Sequence, residues 1–139
     1  KIKIMKKVIP KTTFKQYAEP QGEAMAWRTY AGLDDALSRI QDALQSNAPV
    51  DALYGFSQGS NLSHLVAAQA SLGQGAPLRC VVQCCPNLPG WMEQKPELFS
   101  KPLTVPALVI KAEQDTVSIG SAEVAATYLH AETASHSDE

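Results

Sequence analysis

Apolar positions recur at intervals of three and four between Trp27 and Ser46. Tyr30, Leu33, Leu37, Ile40 and Leu44 therefore share one helical face. The spacing predicts a helix over 27–46. Asp34 and Asp35 lie near its positive end, and Asn47 and Pro49 stop it. A short apolar run follows, Val50, Ala52, Leu53 and Tyr54, of the kind that makes a buried strand. Helical spacing resumes at Leu62, Leu65, Val66 and Gln69, and Gly73 and Gly75 end it. Leu78–Cys85 reads as the next strand and Pro106–Lys111 as another. Ser121–His130 then reads as a helix, and Glu132–Ser137 as the start of a last strand. Between these elements, Pro86 to Pro106 carries five prolines and Trp91, and is expected to be a long loop with one helical turn around Met92. Lys1–Pro10 alternates in part and is expected to be a strand, whereas Lys11–Ala26 has no period and reads as loop. Alternating helices and buried strands imply an α/β fold with a mainly parallel sheet flanked by helices.

Between the Val50–Tyr54 run and the following helix lies Gly55-Phe56-Ser57-Gln58-Gly59, a G-x-S-x-G pattern in a strand-to-helix context. A serine that must reach a substrate carbonyl from so tight a turn adopts a strained backbone. Glycines two residues before and after it are expected to leave room for the neighbouring strand and helix. Ser57 is thus the candidate nucleophile. The N–H of Gln58, at a helix N-terminus, is a candidate oxyanion donor. Asp115 falls just past the Pro106–Lys111 strand, at the sheet's carboxyl end where ligands bind in such folds, and is a candidate acid or a helix cap. Trp91, Met92, Leu98 and Phe99 are expected either to line an apolar site or simply to cover the sheet. His64 lies about two turns beyond Ser57, too far along the axis to serve it, and reads as a surface or packing residue.

The chain has 139 residues, 45% hydrophobic and 19% charged, which suits one domain with a core of its own. A net charge of −2 gives no broad attraction to nucleic acid or anionic membrane. No apolar run approaches the roughly 20 residues needed to span a bilayer. The three cysteines, Cys80, Cys84 and Cys85, are odd in number and two are adjacent in an apolar stretch, so they are not a disulfide framework, and they do not have zinc-site spacing. They read as small apolar residues of a reduced core, which makes a cytoplasmic location the expectation. Neither G-x-G-x-x-G nor G-x-x-x-x-G-K-[ST] occurs, which argues against a nucleotide-binding domain.

Three stretches carry a resemblance to the FSH family of serine hydrolases, within the α/β-hydrolase superfamily. They are Trp27 with Tyr30 and Gly32-Leu33-Asp34, then Asp51 to Gly59, and Val105 to Asp115. The likeness runs from about Trp27 to Glu139, and Lys1–Ala26 shows none of the family's oxyanion-loop pattern. The resemblance implies Ser57 as nucleophile, Asp115 as triad acid and no cofactor or metal. The family's histidine follows the last strand, so the base is expected just beyond Glu139, with His136 ranked behind it. Residues 1–26 remain poorly assigned, and 27–139 reads as an internal part of a larger hydrolase without its first strands and extreme C-terminal end. The implied activity is cleavage of a small or medium acyl ester or thioester through an acyl-serine. The alternative is a non-catalytic binding module with an incomplete triad.

Overall fold

A computed structural model of the chain describes residues 19–21, 29–116 and 119–137. The strand expected at Lys1–Pro10 lies outside the described residues. Among the described residues two short strands come first, Glu19–Gln21 (β1) and Thr29–Ala31 (β2), paired antiparallel with Pro20 opposite Tyr30. Both correct the sequence reading. Residues 19–21 are not loop, and Tyr30 is not in the first turn of a helix. The reason lies at Gly32, whose φ of 74° is a left-handed turn that separates β2 from helix Leu33–Ser46 (α1). Tyr30 stands three residues before Leu33, so a buried strand residue mimicked the helical interval. It reaches the core all the same. The other end of α1 is as expected: Asn47 caps it, its side-chain Nδ2 donating to Ala43 O at 2.8 Å.

The main sheet is parallel throughout. Its order is Ala52–Phe56 (β3), Cys80–Cys84 (β4), Ala107–Ala112 (β5) and Ala131–His136 (β6). Helix Gln58–Ser71 (α2) connects β3 to β4 and lies between the sheet and α1. Leu62, Leu65, Val66, Ala67 and Ala68 of α2 are buried. Leu33, Leu37 and Leu44 of α1 meet them in one core with Val81 of β4 and Val109 of β5. The helical turn expected near Met92 is present as Trp91–Gln94 (α3), followed by a 3-10 turn at Pro96–Phe99. Trp91 and Leu98 are buried in that core, with Met92 and Phe99 packed on it. Trp91 and Phe99 pack on His64 of α2, and Trp91 also on Tyr30 of β2, so this segment covers α2 rather than the sheet itself.

The helix expected over Ser121–His130 is only Ser121–Ala125 (α4). The segment before β5 ends it. Leu103 N–H donates to Thr127 O at 2.9 Å and Leu129 N–H to Leu103 O at 3.0 Å, so the chain from Thr127 onward pairs sideways with Leu103. Among the described residues no helix is long and apolar enough to cross a membrane.

Candidate active site

The turn from β3 into α2 shows the strain that the motif requires. Ser57 has φ 54° and ψ −119°, a conformation that costs a non-glycine residue on the order of 1–3 kcal/mol. Backbone bonds hold it there. Ser57 N–H donates to Cys84 O at 2.9 Å, and Ser57 O accepts from Ser60 N–H at 2.9 Å and Asn61 N–H at 3.3 Å. The serine is thereby pinned between the end of β4 and the first turn of α2. Gln58 opens α2, so its N–H stands at the helix's positive end.

The two glycines differ. A Cβ on Gly55 would collide with the carbonyl of Gly59 and lie 2.7 Å from Ser60 Cα, so β3 and α2 can approach this closely only without a side chain at 55. At Gly59 an added Cβ meets nothing within 4 Å among the described residues, which corrects the expectation that both positions need the space. One bare residue suffices for the close approach. Gly55→Ala is accordingly expected to destabilise by about 3 kcal/mol, as overpacking does. Gly59→Ala is expected to be neutral or to stabilise by up to about 1 kcal/mol, as in other helices. Urea unfolding of the two variants checks this, and equal losses would contradict it.

Asn61 was not singled out by sequence, yet it organises the surroundings of the elbow. It is buried, its Nδ2 donates to Tyr30 Oη at 2.9 Å, and its Oδ1 accepts from Asn87 N–H at 3.2 Å. This links β2, α2 and the loop after β4. Gly120 packs on the same loop. Its N–H donates to Pro86 O at 3.0 Å, and a Cβ there would strike Asn87 and Leu88.

Asp115 lies in the turn after β5, its N–H donating to Ala112 O at 3.2 Å, and is half-buried. It does not cap α4, whose N-cap is Gly120. Ser57 and Asp115 thus both stand at the carboxyl end of the sheet. Between the strands that carry them are Cys84 and Cys85, buried free thiols with their sulfurs 3.8 Å apart. The Cys85 thiol is pushed up to about 11, by burial first, then by its hydrogen bond to and proximity of Cys84, with Asp115 adding to the rise. It is a neutral thiol near pH 7 and no rival nucleophile. His136 is exposed at the last residue of β6, and a nitrogen of its ring and both sulfurs lie within 4.8 Å of one another.

His64 has a structural role. Its ring is fully buried, Nδ1 accepts from Trp91 Nε1–H at 3.0 Å, and the proton this leaves on Nε2 points to Thr127 Oγ1 at 2.8 Å. Thr127 in turn donates to Val124 O at 2.7 Å. Trp91, Phe99 and Tyr128 surround the ring. The neutral form satisfies every partner, and burial holds the pKa down at about 3. The unfolded chain protonates this ring near 6.5 and the folded chain only near 3. Stability contributed by His64 is therefore present above pH 6.5 and falls as pH drops through that window, by about 1.4 kcal/mol per unit. Urea unfolding at pH 7.5 and 5 is expected to show this loss, and His64→Gln, though less stable, to lack it. An equal slope in both proteins would contradict the assignment.

A cavity of about 610 Å³ opens among Cys80, Leu108, Leu129 and Glu132, at the amino ends of β4–β6 and away from Ser57. It is not the site that the serine would use.

Residues 5–139 match the family described as serine hydrolase (FSH1). The chain belongs to this serine hydrolase family. The match begins well before Trp27, so the likeness includes most of the segment that the sequence motifs left outside it. The chain is 34% identical over 116 residues to Esterase OVCA2 of Homo sapiens, and equally to Esterase OVCA2 of Bos taurus. Each alignment covers 76% of this chain and 48% of the relative, so the chain spans about half the length of those curated relatives. Among solved structures, NosK from Streptomyces actuosus superposes with a TM-score of 0.54 at 18% identity, over 77% of this chain and 67% of that one. That similarity is one of fold, and the fold is α/β-hydrolase-like.

Proposed function

We propose that this chain carries the nucleophile and the acid of a serine esterase or thioesterase acting on a small or medium acyl substrate. The backbone of Ser57 is the observation that supports it most: a non-glycine residue at φ 54°, directly between a parallel strand and a helix N-terminus. Membership in a serine hydrolase family and relatives named as esterases agree with it.

In this reading Ser57 Oγ attacks the acyl carbonyl carbon, and its proton passes to a histidine. The tetrahedral oxyanion that forms lies at the start of α2, where Gln58 N–H donates to it and the helix dipole favours its charge. Collapse of that intermediate expels the alcohol or thiol, which takes the proton back from the histidine. An acyl-serine remains, and water activated by the same histidine hydrolyses it. Asp115 holds the histidine in the tautomer that presents an unprotonated nitrogen to the serine, and it stabilises the imidazolium. In this proposal that histidine lies just past Glu139, with His136 at the end of β6 as the second candidate.

Mixing the complete protein with p-nitrophenyl butyrate and quenching in acid tests the covalent step. The peptide carrying Ser57 is expected to gain the butyryl mass. Acylation of a different residue would overturn the reading.

A further inference from the structure

Cys84 closes β4, Cys85 follows it, and His136 closes β6. β5 runs between those strands, and its residue at this level is Ala112, in register with His136 and clustered with both cysteines. A methyl group there leaves space above β5, and side chains from β4 and β6 meet across it. Consecutive strand residues ordinarily point to opposite faces. Cys85 has φ 54°, which breaks that alternation, and the two sulfurs come to 3.8 Å. Sulfur, sulfur and ring nitrogen lie within 4.8 Å of one another.

This spacing, a thiol–thiol contact without an ion, also fits two ligands of one cation. Two thiolates bound to one tetrahedral zinc ion at ~2.3 Å each stand about 3.8 Å apart. We propose that Cys84, Cys85 and His136 form a binding site for one thiophilic divalent cation, Zn²⁺ or Cd²⁺, with the fourth position open to water. Two sulfurs and an imidazole favour such ions over Mg²⁺ or Ca²⁺, which prefer oxygen. Binding releases two thiol protons to solvent, and the dication with two thiolates has no net charge, which suits a half-buried location. The nitrogen closes on the ion by rotation of an exposed side chain. Cys80 begins β4 and is not part of the cluster. In sequence, Cys85 and His136 are far apart, and only the parallel pairing of β4, β5 and β6 brings them together. The inference stands on this cluster, and with His136 as a ligand the base that serves Ser57 is another histidine.

Cd²⁺ titration of the reduced, complete protein tests it, carrying Cys80→Ser to remove the unrelated thiol. The readout is the ultraviolet Cd–thiolate charge-transfer band, with circular dichroism as a fold control. The expected result is a band that saturates at one Cd²⁺ per chain. It should be lost in Cys84→Ser and in Cys85→Ser, and the apparent Kd should rise at least about tenfold in His136→Ala, the effect of removing a ligand worth ~1.4 kcal/mol or more. If a cysteine variant fails to fold, His136→Ala decides, because that side chain is exposed at a strand end. No band, or a band with unchanged affinity in His136→Ala, would overturn the proposal.

Discussion

Ser57→Ala is expected to lower ester or thioester hydrolysis by roughly six orders of magnitude, the loss seen when a triad serine is removed. The variant should remain folded. Alanine faces the same φ of 54° as serine, and the bonds that hold the turn run through the backbone, from Ser57 N to Cys84 O and from Ser60 N to Ser57 O. Substrate should still bind, because the first turn of α2 and its N–H groups are untouched. Ser57→Gly is expected to be equally inactive but more stable, by about 1 kcal/mol or more, since glycine relieves the strain. A gain in stability with loss of activity would show that the strain is held for chemistry. Steady-state kinetics on p-nitrophenyl esters and urea unfolding of both variants check this. Activity retained in Ser57→Ala would remove the serine from the mechanism.

The second large effect concerns Asp115. Asp115→Asn preserves shape but replaces a carboxylate with an amide, which favours the wrong histidine tautomer. The expected loss in kcat is on the order of 10⁴. KM should change little, because Asp115 acts on the histidine and not on the acyl group. The start of α4 should not change, because it begins at Ser121 with Gly120 as its N-cap. The neutral amide should moreover lower the Cys85 thiol pKa, since the carboxylate is one of the groups that raise it. Thiol titration by ultraviolet absorbance reads that shift independently of activity. A full-rate Asp115→Asn enzyme would leave Asp115 as a turn residue only.

The parts of this fold that were legible in sequence are those where short-range pattern decides. A five-residue motif between an apolar run and a helical period located the elbow, and Asn47 with Pro49 marked the end of α1. Where two structures share an interval, the pattern misled: Tyr30 and Leu33 are three apart whether or not a left-handed glycine stands between them. Ser121–His130 has helical composition, but Leu103 takes over the backbone from Thr127 onward, a contact that no local pattern contains. Both glycines of the motif looked alike, and only the approach of Gly59 O to Gly55 distinguished them. The buried relay of Trp91, His64 and Thr127, and the meeting of Cys84, Cys85 and His136, depend on distant segments and were invisible for that reason.

The most direct measurement of the central claim is intact mass after treatment with a fluorophosphonate, made on the complete protein and on its Ser57→Ala and His136→Gln variants. A single adduct on the parent protein that Ser57→Ala abolishes is the predicted result. Labelling unchanged in His136→Gln would exclude His136 as the base, and labelling lost would assign it to His136. A folded parent protein that takes up no adduct, or an adduct that persists in Ser57→Ala, would contradict the account.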